Sequence, residues 1–560
     1  MAGHRPRYHG GMTSSSLPAL SPPNDRLDAL DVLRGFALIG ICIANVEFFN
    51  RPVVESGQGI PAGLHGLDWL VAFLVAYLVS GKFWTIFSLL FGMGFALMLE
   101  RARVAARPFA PTYGRRVGVL LAIGLLHHTL LWSGDILISY AAGALALMLA
   151  LLAPARLLVT ALIACIALPQ MPGLGLLGWL LAPVILASLV ALYLRARQAW
   201  LFPLLTIGAG VLMLLAALGA AWSSKGDDTT MLAAMGAIFT GLGLLACLRG
   251  PSEQKPLRIG LQIVLLTYSL IAAEAGVRHF APAVAQVTGM STGISASHEG
   301  ADVRADAGRA LRYREQVARS VEERAVLTQG SYRDAVAMRF RQLAERLRDE
   351  VGFAVLLVGV FLIGVWFVRS GVIARAGEYK ALYRQLAIIG IPLGVGLGLL
   401  GSLIATGRPL GVDDGGHDLA YALLSLGSLP AALGYIGAVM LMLHSRGALA
   451  RIRLLAPFGR MALSNYLTQS LVFSLLFYAH GMGLWGMGRT AQVGIALGLC
   501  ALQIGVSHWW LARYQYGPVE WVWRALTYLS WPPMSIKSRG HKKSGSGLTF
   551  GHDLDSQVVG

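Results

Sequence analysis

Two histidines and an aspartate form the cluster best suited to chemistry in this sequence. His127 and His128 are adjacent, and Asp135 follows a helix break at 133–134. Neighbouring residues of a helix point to different faces, so the two imidazoles cannot both face one site. A carboxylate that orients an imidazole makes it a general base. Two structural alternatives remain open: Asp135 as a helix N-cap, and each histidine bonded to a neighbouring carbonyl.

Other polar side chains lie within apolar stretches, where they cost free energy and are either paired or functional. Asp31 and Arg34 are three residues apart and can pair on one helix face, either as an interfacial anchor or at a site. Asn45 lies further along the same stretch and suits an interhelical hydrogen bond or a site. Lys82 interrupts a long apolar block and either extends to the interface or contacts a substrate.

The remaining candidates are Arg116 and Trp132 in the N-terminal half and Arg460, Asn465 and Gln469 in the C-terminal half. Asn465 and Gln469 are four residues apart and make a polar stripe, which suits either contact between helices or a site. Guanidinium groups such as those of Arg116 and Arg460 hold phosphates well. The expected substrate-binding residues are Asp31, Arg34, Lys82, Arg116, Trp132, Arg460, Asn465 and Gln469.

Transmembrane helices are the elements that must position these residues. Of 560 residues, 56% are apolar and 13% are charged, whereas soluble domains carry about 25% charged residues. This composition excludes an ordinary soluble enzyme, a disordered chain and, despite the net charge of +17, a nucleic-acid partner. Apolar blocks of roughly 20 residues recur and are long enough to cross a bilayer. We therefore predict an all-α, polytopic transmembrane bundle of about 14 crossings, with a range of roughly 12–14.

Charge distribution predicts orientation and organisation. Basic residues fall in short connections between apolar blocks, which places both termini in the cytoplasm. The four cysteines lie far apart in apolar blocks, so we expect no disulfide framework and no metal site. We expect a disordered cytoplasmic N-terminus (1–25), an N-terminal transmembrane domain (26–155), additional transmembrane helices (156–278), an extracytoplasmic polar helical segment (279–350), a C-terminal transmembrane domain (351–530) and a disordered cytoplasmic tail (531–560).

Within the polar segment, charges of both signs are interspersed, which predicts solvated helices with charge pairs. Apolar residues recur there at helical spacing. They are Val336, Phe340, Leu343 and Leu347.

Several motifs together resemble the YeiB-like bacterial membrane proteins. They are the opening Leu27–Gly40 with Asn45, the stretch Lys82–Phe95, the stretch Arg116–Leu137, the run Gly459–Tyr466 and the run Tyr516–Trp521. The resemblance covers 26–155 and 325–530. It implies a multi-pass protein of the bacterial inner membrane with a C-terminal domain of unknown function.

The opening is also similar to that of membrane acetyltransferases of the heparan-glucosaminide type. The matching positions are Asp31, Arg34, Gly35, Asn45 and His65. The similarity implies an acyltransferase that moves an acyl group from a cytoplasmic thioester donor, such as acyl-CoA, to a glycan or lipid acceptor outside.

In that mechanism each candidate has a role. His127, His128 or His65 supplies the base, Asp135 orients it and Asn45 donates a hydrogen bond. The mechanism requires His127, Asp135 and Asn45 to line one cavity.

Two other functions fit the sequence. Glycine-rich helices with buried amides suit a transporter or exporter of a small molecule. The segment 279–350 suits a scaffold or sensor. The sequence does not determine the oligomeric state.

Overall fold

The computed structural model describes residues 23–55, 59–61, 63–154, 156–158, 160, 163–164, 200–222, 229–247, 254–288, 299–406 and 414–536. Within these ranges the protein is helical, with an isolated bridge between Tyr514 and Ser535 and no strand. The predicted disordered ends fall mostly outside the described residues. So does most of 155–199, the first part of the predicted additional transmembrane helices.

The N-terminal half contains these described helices: α1 (Pro23–Asn45), α2 (Gly66–Leu78), α3 (Lys82–Val104), α4 (Phe109–Leu130), α5 (Leu137–Leu152), α6 (Leu201–Trp222), α7 (Thr229–Cys247) and α8 (Lys255–Thr288). A 3-10 turn over Val46–Phe49 continues α1. Apolar side chains from α1, α3, α4 and α5 form much of the common core.

The C-terminal half contains these described helices: α9 (Glu299–Gln329), α10 (Tyr332–Arg369), α11 (Lys380–Gln385), α12 (Ile391–Thr406), α13 (Asp414–Leu443), α14 (Ala456–Arg460), α15 (Ala462–Phe477), α16 (Arg489–Leu511) and α17 (Pro518–Tyr528). A π-helical segment over Leu386–Gly390 joins α11 to α12. A 3-10 segment over Gly447–Leu455 precedes α14.

The predicted fold class, an all-α membrane protein, is confirmed. In the described part of the chain, six helical stretches are long and apolar enough to cross a bilayer: Asp28–Phe49, Gly66–Val104, Lys255–Ala273, Lys380–Ala405, Gly416–Leu443 and Arg489–Leu511. Shorter apolar helices accompany them, including Leu137–Leu152, Phe353–Arg369 and Ala462–Phe477. The number of crossings remains a prediction.

Helix α10 links the polar segment to the apolar core. Its C-terminal part packs against α3 and α5. Gly92 and Gly364 allow this, because a Cβ at either position would collide with the backbone of the other helix. The polar segment is therefore held by the same helix that packs beside the candidate site.

In the polar segment, an apolar side chain is exposed while its charged neighbour is buried. Phe340 is 66% exposed, whereas Arg339 is 1% exposed. The physical reason is that the end of α4 leaves backbone carbonyls without helical partners, and the guanidinium of Arg339 turns inward to bind them.

Candidate active site

His127 and Asp135 form a buried pair at the turn between α4 and α5. Nδ1 of His127 lies 2.7 Å from Oδ1 of Asp135, and both side chains are almost fully buried. The second carboxylate oxygen of Asp135 accepts a hydrogen bond from the backbone N–H of Ile138 at 3.0 Å. Asp135 therefore contacts both the imidazole and the first turn of α5, whose N-cap residue is Ile136.

This geometry favours one tautomer of the imidazole. With the Asp135 carboxylate as the acceptor, Nδ1 of His127 carries the hydrogen and Nε2 keeps its lone pair. In the described part of the chain, Nε2 has no hydrogen-bond partner. An oriented imidazole with a free lone pair is the arrangement that a general base needs.

The other candidates for base and donor lie elsewhere. His128 is buried near Arg339 and Arg346, and its imidazole makes no hydrogen bond to Asp135. His65 is exposed where α2 begins. Asn45 ends α1, where the 3-10 turn begins. None of His127, Asp135, Asn45 and His65 is among the residues on the cavity wall described below. The structure pairs His127 with Asp135 but does not place them with Asn45 on one cavity wall, and the catalytic roles of all four residues remain predictions.

Two arginines of α10 hold the turn that carries the pair. Nη2 of Arg346 donates to the backbone carbonyl of Asp135 at 2.9 Å. Nη1 of Arg339 donates to the carbonyls of Leu130 at 3.2 Å and Thr129 at 3.4 Å. Sequence reasoning missed both, because their alternating charge pattern is typical of a solvated helix.

The start of α10 is fixed by a capping box. The hydroxyl of Ser331 accepts from the backbone N–H of Asp334, whose carboxylate in turn accepts from the Ser331 N–H. The hydrogen bond from the Ser331 hydroxyl lowers the pKa of the exposed Asp334 carboxyl. Arg339 and Arg346 thus extend from a helix whose first turn is well defined.

Trp132 attaches the same turn to α1. Its indole N–H donates to the carbonyl of Phe48 at 3.2 Å, and its ring stacks on Phe49 with centroids 4.5 Å apart. Trp132 is buried and is not on the cavity wall. Its predicted contact with substrate remains a prediction, and its observed contacts position the turn.

A cavity of about 210 Å³ lies beside the His127–Asp135 pair. Tyr466 lines it, and the ring centroid of Tyr466 is 5.1 Å from that of His127. Most of the wall is apolar and comes from α1, α3, α4 and α5. Five guanidinium groups also line the cavity, those of Arg34, Arg101, Arg116, Arg460 and Arg524.

Aromatic rings fix two of these guanidinium groups. Cζ of Arg116 lies 3.8 Å from the centroid of the Trp523 ring, and the Trp523 indole donates to the Arg116 carbonyl at 2.9 Å. Cζ of Arg524 lies 5.1 Å from the centroids of both the Tyr516 and Tyr528 rings. Held in this way, the guanidinium groups are preorganised for an anion.

The nearby carboxylates are already engaged. Asp31 pairs with Arg34 at 2.7 Å, as the sequence predicts. Glu520 accepts from the backbone N–H groups of Leu463 at 2.7 Å and Ser464 at 3.0 Å. Burial raises the pKa of Glu520, and its hydrogen bonds partly offset that rise. The cavity therefore keeps an excess of positive charge.

Asn465 and Gln469 join α15 to α16. Nδ2 of Asn465 donates to Oγ of Ser507 at 3.1 Å. Nε2 of Gln469 donates to Oε1 of Gln503 at 2.9 Å, and Nε2 of Gln503 donates to the Asn465 carbonyl at 3.0 Å. Neither predicted residue lines the cavity. Their amides act as polar contacts between helices, and binding of substrate by them remains a prediction.

Lys82 does not extend to the interface, so that alternative is wrong. Gly81 adopts a φ of 81°, turns the chain from α2 into α3 and leaves Lys82 at the start of α3. The Lys82 side chain is fully buried, close to Gly398 of α12. It does not line the cavity, and its predicted contact with substrate remains a prediction.

Comparison with known proteins finds similar bacterial proteins whose names give no activity. Residues 367–530 match the family described as "Protein of unknown function (DUF418)". The chain is 24% identical over 532 residues to the uncharacterized protein YxaH of Bacillus subtilis, covering 94% of this chain and 100% of YxaH. It is 24% identical over 526 residues to the uncharacterized protein YeiB of Escherichia coli, covering 92% of this chain and 99% of YeiB.

A shorter match has a higher sequence identity. A protein of Bacillus acidopullulyticus, "Uncharacterized 39.9 kDa protein in amylase 3'region", is 36% identical over 118 residues, covering 21% of this chain and 32% of that protein. No solved structure matches the chain. The YeiB-like resemblance is confirmed, whereas the similarity to acyltransferases rests on the motif residues alone.

Proposed function

Since this chain is a YeiB-like membrane protein, we propose that it is a transmembrane acyltransferase whose general base is His127. The donor is an anionic thioester such as acyl-CoA, and the acceptor is a hydroxyl group of a glycan or lipid. The observation that carries the proposal is the buried His127–Asp135 pair next to a cavity lined by arginines.

The geometry suits proton transfer at one atom. Nε2 of His127 takes the proton of the acceptor hydroxyl as its oxygen attacks the thioester carbonyl carbon. The new C–O bond forms, the C–S bond breaks, and the proton held on Nε2 passes to the leaving thiolate. The products are an ester and a thiol, and the imidazole returns to its starting state. Asp135 stabilises the imidazolium through the 2.7 Å contact.

Tyr466 is the group that separates base from cavity in this proposal. It lines the cavity and contacts the His127 ring. Its side chain must shift for the thioester to reach Nε2, and its hydroxyl is then close to the reacting carbonyl. We assign to Tyr466 the stabilisation of the oxyanion, a role that one well-placed donor fulfils.

The arginines orient the donor. Arg116 and His127 are eleven positions apart on α4, a rise of about 16 Å at 1.5 Å per residue. A donor whose phosphates bind the guanidinium groups thus extends its acyl end toward the pair. We place the arginine-lined end in the cytoplasm of a bacterial inner-membrane protein, with both termini on that side, because positive charge concentrates on that side of a membrane.

Turnover by the purified full-length protein in lipid nanodiscs tests the proposal. We expect release of free thiol from acyl-CoA, stimulated by a hydroxyl acceptor, and a loss of roughly 10²- to 10⁴-fold in His127→Gln. His128→Gln is the matched control, because His128 is equally buried but makes no hydrogen bond to Asp135. Equal rates in both variants and the wild type would refute the proposal. Movement of an intact small molecule across the bilayer without thiol release would favour a transporter.

The charge of the cavity gives a separate test. Arg460→Met removes a guanidinium group from the wall, whereas Arg513→Met removes an exposed one outside the cavity. We expect weaker binding of acyl-CoA only in the first variant. Equal affinity in both would contradict the assignment of the arginines to the donor phosphates.

A further inference from the structure

The apolar part of the cavity is long for an acetyl group. Side chains of α3 line it from Phe87 to Met98, a rise of about 16 Å. Arg101 follows three residues later, so the charged wall continues directly from the apolar one. A ligand that fills this space has a phosphorylated end and an extended hydrocarbon chain, because apolar walls stabilise apolar groups.

Among the α3 residues on this wall, one position has no side chain. Gly94 lines the cavity, and a Cβ added there would meet no atom within 4 Å. The Cβ direction of Gly94 therefore opens into free space instead of a neighbouring helix. This differs from Gly92, two residues earlier, where a Cβ would collide with the backbone of α10.

We infer that the cavity binds a fatty acyl chain and that Gly94 sets the length of chain it accepts. The inference rests on the proposed function for the identity of the donor as a thioester. It goes further in naming a fatty acyl group, not acetyl, as the group transferred. Each methylene buried on the wall adds roughly fourfold to affinity.

Gly94→Leu tests the inference, because the added side chain starts in open space, where a Cβ would meet no atom within 4 Å. Gly118→Leu is the matched control: Gly118 is a helical glycine whose Cβ would also meet no atom within 4 Å, but it does not line the cavity. Both changes favour the helix, since glycine is a poor helix former. Differences in folding between the two variants are therefore expected to be small.

Binding is measured in the His127→Gln background, where the readout does not depend on turnover. Titration with palmitoyl-CoA and acetyl-CoA gives the result. We expect palmitoyl-CoA to bind more tightly than acetyl-CoA, Gly94→Leu to weaken palmitoyl-CoA about tenfold or more, and acetyl-CoA affinity to stay within about twofold. Gly118→Leu leaves both affinities unchanged.

The outcomes separate this inference from the proposed function. Tighter binding of acetyl-CoA than palmitoyl-CoA, or an equal effect of Gly94→Leu on both, overturns the inference even if acyl transfer occurs. Selective loss of palmitoyl-CoA binding supports it even if no transfer is detected. Nanodiscs containing phosphatidic acid distinguish the source of the chain: if that lipid displaces palmitoyl-CoA at equal concentration, the occupant is a membrane lipid and the thioester assignment is wrong.

Discussion

Asp135→Asn is the most informative substitution in the candidate site. The asparagine side chain keeps the shape of aspartate and can still accept a hydrogen bond from the Ile138 N–H, so this contact with the first turn of α5 is retained. The amide removes the negative charge that orients Nδ1 of His127. If its NH₂ group faces Nδ1, the hydrogen of the imidazole moves to Nε2 and the base is lost.

The structure allows the loss to be estimated. A hydrogen bond to a charged group contributes about 1.5–3 kcal/mol, and the 2.7 Å contact lies between two buried groups. At 1.36 kcal/mol per tenfold, this range corresponds to about 10- to 160-fold in rate. The wrong tautomer adds to that loss, so we expect a total reduction of roughly 10²- to 10⁴-fold in kcat.

The assay is release of thiol from acyl-CoA by Asp135→Asn, His127→Gln and the double variant. If the pair acts as one unit, the double variant is hardly slower than His127→Gln alone. Melting temperatures check that each protein folds. Wild-type rates in either single variant, or losses that multiply in the double variant, would refute a single catalytic unit.

Three further predictions concern the surroundings of the pair. Arg346→Met should slow turnover and shift its pH profile, because it removes the hydrogen bond to the Asp135 carbonyl. The control Arg341→Met changes an exposed side chain paired with Glu322 and should do neither. Equal pH profiles in the two variants would contradict a positioning role for Arg346. Gln469→Leu should destabilise the protein by about 0.5–2 kcal/mol without changing kcat, and adding Gln503→Leu should recover part of the loss in a double-mutant cycle. Glu520→Gln should remove a pH dependence of stability. Burial raises the folded-state pKa of Glu520 above the ordinary 4.5, so wild-type stability falls as pH rises from 4.5 through that raised pKa. If the melting temperatures of wild type and variant change in parallel from pH 4 to 8, this assignment is wrong.

The pairing of His127 with Asp135 could be anticipated from local spacing, and that of Asp31 with Arg34 likewise. In each case the partners lie within one helix or across one short turn. Contacts such as those of Arg346 and Glu520 could not be anticipated. Their partners lie 211 and 56 residues away in sequence, and a charged residue in a polar pattern carries no mark of what it will bind.

The sequence by itself determined that this chain is a helical membrane protein. Lipid hydrocarbon cannot form hydrogen bonds with backbone polar groups, so apolar blocks of roughly 20 residues must become helices when they cross a bilayer. Only the tertiary structure decided which histidine meets the carboxylate, that arginines from five places line one cavity, and that Lys82 is buried. The physical reason is that helix periodicity fixes which side chains share a face, whereas the neighbour that each face meets depends on how the helices pack.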